Sequence, residues 1–314
     1  MSIAELFGTE YALVFPGQGS QAVGMGKDLY ERSGAARATF DEADAALGTS
    51  LSALAFEGPA EELNDTYNAQ PALLTMSIAA LRALEERAAE EGATVTPMVT
   101  AGHSLGQFTA LVAAGSLRFG EALGLVRERG RLMAEAGKVR PGGMAAVLGL
   151  DEPVLADVCA EASSDGIINV ANANCPGQIV ISGEVAALER AMALAKEAGA
   201  KRVARLPVSI ASHSPLMEDV SRQLKALTDA LPIQEPAYPI VGNVSGAALT
   251  TAAGIREDLE HHVERPVNWI ASVETMVALG AETFVELGPG TVLAGLVKRI
   301  DRSARTVGMA ELGL

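Results

Sequence analysis

Gly102-His103-Ser104-Leu105-Gly106 has the spacing of a serine nucleophile. Flanking glycines let a G-x-S-x-G turn fold sharply between a strand and a helix, which lifts the serine hydroxyl clear at the helix N-terminus. The free N–H groups there favour developing negative charge. Such a serine needs a base, usually histidine, and the chain has four histidines. His103 adjoins Ser104, and neighbouring side chains diverge at a sharp turn. His261 and His262 stand beside Glu260 and Glu264, a setting for solvated or helix-capping roles. His213, in Ser212-His213-Ser214-Pro215, is the expected base by elimination.

Hydrophobic patterning supplies the elements that must position these residues. An apolar run at 96–101 precedes the turn and a helical pattern at 107–114 follows it, the order that the motif requires. Residues 11–15 read as a buried strand running into Pro16-Gly17-Gln18-Gly19-Ser20-Gln21, a loop with no side-chain bulk on either side of Gln18. The loop lacks G-x-G-x-x-G spacing and no acidic residue closes a second strand, which argues against a dinucleotide site. Helical patterns span 33–47, 71–91 and 119–137. Then the pattern changes to strand 143–150, helix 153–163, strands 167–171 and 178–182, helix 185–199 and strand 202–208. This β-α-β-β-α-β order is ferredoxin-like and can close on itself. The expected architecture is a large α/β-hydrolase-like domain, residues 1–138 and 209–314, interrupted by a ferredoxin-like small domain at 139–208. His213 follows that junction, and junctions are where clefts form. Helices at 217–230, 255–263 and 269–279 and strands at 240–244 and 283–287 complete the expected large domain.

With 49% hydrophobic residues over 314 positions, the chain can bury a sizeable core. No window approaches the roughly 18 uninterrupted apolar residues of a membrane span. Met1-Ser2-Ile3-Ala4-Glu5 has no basic segment leading into an apolar one, so the expected location is the cytoplasm. Cys159 and Cys175 fit no metal or redox spacing and read as buried thiols. A net charge of −15, from 39 acidic and 24 basic side chains, argues against a nucleic-acid partner, which needs a positive footprint. Small anionic ligands need only a local positive site.

Four motifs in order make the chain resemble the malonyl-CoA:acyl-carrier-protein transacylases nearly end to end. They are Phe15-Pro16-Gly17-Gln18-Gly19-Ser20-Gln21, Gly102-His103-Ser104-Leu105-Gly106, Ser212-His213-Ser214-Pro215-Leu216-Met217 and Glu286-Leu287-Gly288-Pro289-Gly290. The resemblance implies that Ser104 becomes malonylated and that His213 is its base. It implies that a backbone carbonyl in a P-V-x-W segment, here Asn268, orients His213, a role in which a neutral carbonyl can still fix the tautomer. The N–H groups of Leu105 and Gln18 would form the oxyanion hole. Arg129, twenty-five residues past Ser104, would bind the malonyl carboxylate with its planar fork, and Met133, one turn further, would line the pocket.

The expected reaction is a ping-pong transfer of malonyl from malonyl-CoA to the phosphopantetheine thiol of an acyl carrier protein, by a monomer with no metal or bound cofactor. Carrier proteins are acidic, so docking on this acidic chain calls for a local basic patch, and Lys201-Arg202 is the candidate. The rival readings are a thioesterase giving the same acyl-serine to water, a trans-acting polyketide acyltransferase with another extender unit, and a non-catalytic scaffold. The intact Ser104, His213 and Arg129 argue against the scaffold.

Overall fold

The computed structural model describes Gly8 and residues 10–314. Met1-Ser2-Ile3-Ala4-Glu5, read above for a leader, lies outside those residues, as does the rest of the expected large domain before Gly8, with Thr9. Eleven strands, numbered in chain order among the described residues, form two sheets. The larger holds β1 (Tyr11–Phe15), β2 (Val99–Gly102), β7 (Ile240–Val241), β8 (Ala248–Leu249), β10 (Thr283–Glu286) and β11 (Arg305–Val307), in the order β11-β10-β1-β2-β7-β8. All its pairings are parallel except the edge pair β7–β8. A parallel sheet is covered on both faces, and β1 is the evidence here. Tyr11, Leu13 and Phe15 enter one apolar cluster, with the helices Gly34–Leu47, Thr66–Glu90 and Phe119–Val139. Ala12 and Val14 enter the other, with the helices Trp269–Ala278 and Val292–Ile300.

The smaller sheet holds β3 (Gly142–Leu148), β4 (Ile168–Cys175), β5 (Gln178–Glu184) and β6 (Arg202–Arg205), in the antiparallel order β6-β3-β5-β4. The helices Glu152–Ala162 and Val185–Glu197 cover one face of it. That is the ferredoxin-like arrangement. A fifth strand, β9 (Val267–Asn268), joins parallel to β4 from beyond the interval 139–208. Cys159 and Cys175 are free and buried. No helix among the described residues is long and apolar enough to cross a membrane.

Three departures from the expected elements bear on the site. The helix expected to begin at Pro71 begins at Thr66, because the Asp65 carboxylate caps it by accepting from the Tyr67 N–H at 2.8 Å. The extra turn carries Thr66 and Gln70 into the interior. Strand β7 stops at Val241, where the chain turns about the buried Asp258. The helix Ala252–Glu260 ends before His261, which frees the next residues to turn inward.

Candidate active site

The elbow is as tight as its glycines suggest: a β-carbon on Gly102 would run into the Gly106 backbone, and one on Gly106 into the Phe15 carbonyl. Ser104 takes φ 49° at its tip. The one other non-glycine residue with positive φ among those described is His213, at 58°. Left-handed backbone costs an ordinary side chain roughly 1–2 kcal/mol and clusters at functional positions. The two strained residues face each other, with Ser104 Oγ 2.9 Å from His213 Nε2.

His213 Nδ1 lies 3.1 Å from the carbonyl of Arg265. A carbonyl can only accept, so Nδ1 carries the proton and Nε2 keeps a lone pair for the serine O–H. This corrects the expectation for Asn268. Its carbonyl accepts instead from Ser272 Oγ at 2.9 Å, and its side chain caps the helix Trp269–Ala278 through the Ala271 N–H. Asn268 opens that helix, and its carbonyl is taken up within the first turn. The His213 backbone is held at both ends, its N–H by Val263 O and its carbonyl by Asn169 Nδ2, each at 2.8 Å. Burial, reinforced by the charge of Arg129 and by His103, lowers the His213 pKa to about 3.

Arg129 is 1% exposed and has no carboxylate beside it among the described residues. Its Nη1 donates to Gln70 Oε1 at 2.7 Å and its Nη2 to Ser104 Oγ at 3.2 Å, while Nε has no acceptor among the described residues. Burial pushes its pKa down to about 9, so it remains a cation at neutral pH. The Phe108 ring lies 5.7 Å away and offsets part of the desolvation. Gln70 Nε2 donates onward to Thr66 Oγ1 at 2.8 Å, and Thr66 Oγ1 to Gln18 Oε1 at 2.9 Å. Met133 is buried on the same side, with its sulfur 3.7 Å from Gln70 Nε2. The backbone N–H groups of Gln18 and Leu105 have no acceptor among the described residues, although their neighbours Gly19, Ser20, His103 and Gly106 all do.

The remaining histidines divide. His261 pairs with Glu264 at 2.5 Å in a half-buried position and stands as the C-cap of the helix Ala252–Glu260, one of the two roles, solvated or capping, read from sequence. His262 does not fit that setting. It is 1% exposed, its ring packs edge-on against Phe108 at 5.1 Å, and its centroid is 6.1 Å from that of His213. The helix ends two residues before it, and the turn that follows aims it at the core. Burial first, then Arg129 and His213, keep it neutral well below the usual histidine range. His103 points away from the hydroxyl, its Nε2 2.8 Å from Asn174 Oδ1 and its ring 5.6 Å from that of Trp269. Arg202 opens the outer edge strand β6, three strand positions from β4, and Lys201 precedes it; both are exposed.

Several residues around the pair were not legible from spacing: Gln70, Asn243, Gln107, Asp258, Asn169 and Asn174. The last two share β4, where a bulge between Val170 and Asn172 shifts the side-chain alternation; Asn169 meets the His213 carbonyl and Asn174 the His103 imidazole. Asparagines in a strand otherwise rich in small apolar residues were the available signal.

Comparison with known proteins gives the family. The acyl transferase domain family matches residues 12–312. A malonyl CoA-acyl carrier protein transacylase of Bacillus subtilis is 49% identical over 304 residues, covering 96% of this chain and 94% of the relative. One from Escherichia coli is 45% identical over 292 residues, 93% of each chain. The crystal structure of an acyl carrier protein S-malonyltransferase from Vibrio cholerae superposes with a TM-score of 0.89 at 43% identity, covering 95% of this chain and 96% of that one. A malonyl-transacylase in complex with its type II PKS acyl-carrier protein superposes at 0.90 and 41% identity, covering 95% of each. With the Ser104–His213 pair and the buried Arg129 at its centre, this chain belongs to the malonyl-CoA–acyl carrier protein transacylases.

Proposed function

We propose that this chain transfers malonyl from malonyl-CoA to the phosphopantetheine thiol of an acyl carrier protein through a malonyl ester of Ser104. The observation that carries the reading is Arg129, a buried cation that has no carboxylate partner among the described residues and touches the serine oxygen. Gln70 occupies its Nη1, so the open edge of the fork is Nε with Nη2. A carboxylate seated there is bound bidentately beside Ser104 Oγ. An acyl group ending in a free carboxylate satisfies Nε; an acetyl group leaves it orphaned.

The steps follow from the tautomer. His213 Nε2 takes the hydroxyl proton as Ser104 Oγ attacks the thioester carbon, and the N–H groups of Leu105 and Gln18 receive the oxyanion. Collapse breaks the C–S bond, and the proton on Nε2 leaves with the coenzyme A sulfur. The carrier thiol then gives its proton to His213, attacks the serine ester and restores the hydroxyl. The substrate carboxylate also cancels the Arg129 charge that helps depress His213, so binding of malonyl makes the imidazole a stronger base. We take the chain to act as a monomer without a bound metal, with the small unit bounded at 139–208 and the carrier docking at Lys201 and Arg202.

The test is the intact mass after incubation with malonyl-CoA. The native chain should gain one malonyl group and Ser104→Ala none. An adduct that persists on the alanine variant would overturn the assignment.

A further inference from the structure

The Ser104 backbone is held by a side chain from the segment that follows β7, the strand paired with β2. Asn243 Oδ1 accepts the Ser104 N–H at 2.6 Å, and Asn243 Nδ2 donates to the Gly102 carbonyl at 2.6 Å. One carboxamide therefore bridges both ends of the elbow, and its orientation is fixed, since the reverse would set donor against donor. Asn243 is itself pinned. Its N–H is shared between Gln107 Oε1 at 3.0 Å and Asp258 Oδ2 at 3.2 Å, and Gln107 Nε2 donates to the same carboxylate oxygen at 2.9 Å. The other oxygen, Asp258 Oδ1, accepts from Ser245 N at 3.0 Å and Oγ at 2.9 Å. Asn243 and Gln107 are 0% exposed and Asp258 is 4%. Gly242 permits the approach, because a β-carbon there would collide with the Asp258 carboxylate.

We propose that Asn243, locked by Asp258 and Gln107, is the positioning residue that keeps Ser104 in its left-handed conformation. The proposal rests on the reading of Ser104 as nucleophile. Left-handed backbone is unfavourable for serine, and the bridge offsets that cost in the folded state. It also consumes the Ser104 N–H, so the donor left at the elbow is the N–H of Leu105, whose direction is set by the Ser104 peptide. Asn243 thus aims the attacking oxygen and the oxyanion donor together. It touches neither Arg129 nor the acyl pocket, so its loss should slow the chemistry without altering which acyl group is chosen.

The experiment is single-turnover acylation followed by intact mass, with malonyl-CoA and acetyl-CoA over a range of concentrations. Asn243→Ala should lower the saturating rate by about tenfold to a hundredfold, the scale of a misplacement near 1 Å. Malonyl and acetyl should fall in parallel, and the half-saturating concentration should stay within about twofold. Leu188→Ala, a comparably disruptive change in the small-sheet core, should lose stability and keep its acylation rate. Should Asn243→Ala not fold, Gln107→Met removes one of the groups that pin Asn243 and should show the same pattern at smaller amplitude. An unchanged saturating rate, a loss confined to malonyl, or an equal loss in Leu188→Ala would overturn the proposal. A native chain that takes up no malonyl group would instead sink the reading of Ser104 beneath it.

Discussion

Two polar clusters meet at Ser104 and treat their hydrogen-bonding capacity in opposite ways. On the Asn243 side every side-chain oxygen and nitrogen of Asn243, Gln107 and Asp258 has a partner. On the Arg129 side a buried guanidinium has, among the described residues, no acceptor for Nε and no carboxylate. A saturated buried network resists movement, because any shift strands a polar group at a cost of about 1–3 kcal/mol. An unsaturated buried cation bears that cost in the resting protein and recovers it when an anion arrives. The first arrangement suits holding a nucleophile; the second suits choosing a substrate.

The largest effect expected is one that ignores the division. His213→Ala should slow acylation by roughly two to four orders of magnitude with malonyl and acetyl donors alike, the usual worth of a positioned general base. A loss confined to one donor would move His213 from chemistry to recognition.

Arg129→Ala tests the unsaturated side. It removes a charge-assisted pair worth about 2–5 kcal/mol when desolvated, so malonyl transfer should fall roughly thirtyfold or more. Acetyl transfer should hold or rise, since the pocket loses an unpaired cation. Arg129→Lys should lie between them, a point charge replacing a fork. Comparing kcat/KM for both acyl-CoAs on the three proteins decides the matter, and a parallel drop would place Arg129 with the saturated side.

Acidity probes the pair itself. The free protein's His213 gains its proton only near pH 3, so kcat/KM for acetyl-CoA should be flat through pH 6.5 and decline only toward that value. Stability should change over the same window. Between about 6.5, where the unfolded imidazole protonates, and about 3, where the folded one does, the unfolded chain binds more protons and stability falls as pH falls. The fall in melting temperature on acidification should be shallower in His213→Ala. An activity limb near pH 6.5 would mean that His213 is solvated.

His261→Ala should do least, leaving acylation within a few-fold, because that side chain spends its hydrogen bond on Glu264, away from Ser104 and Arg129. A loss matching that of His213→Ala would mean that the base had been misidentified.

Local pattern determined a good deal by itself. The strand–turn–helix around Ser104 was legible because glycine is the one residue that fits at 102 and 106, a constraint acting over five positions. The β-α-β-β-α-β order was legible because each element writes its own period into the sequence. The choice of His213 needed only the count of histidines and their neighbours. Tertiary structure decided the rest, and the reason is distance along the chain. Which carbonyl meets His213 Nδ1 depends on how a loop rotates before the helix at Trp269, and the rotation favours Arg265 over Asn268. His262 reads as a surface residue among acids until the helix stops at Glu260 and the next turn buries it. Gln70 and Thr66 enter the site because Asp65 starts a helix a turn ahead of its proline. Asn243 reaches Ser104 across 139 positions of sequence. No periodicity spans such a gap; only packing two strands side by side closes it.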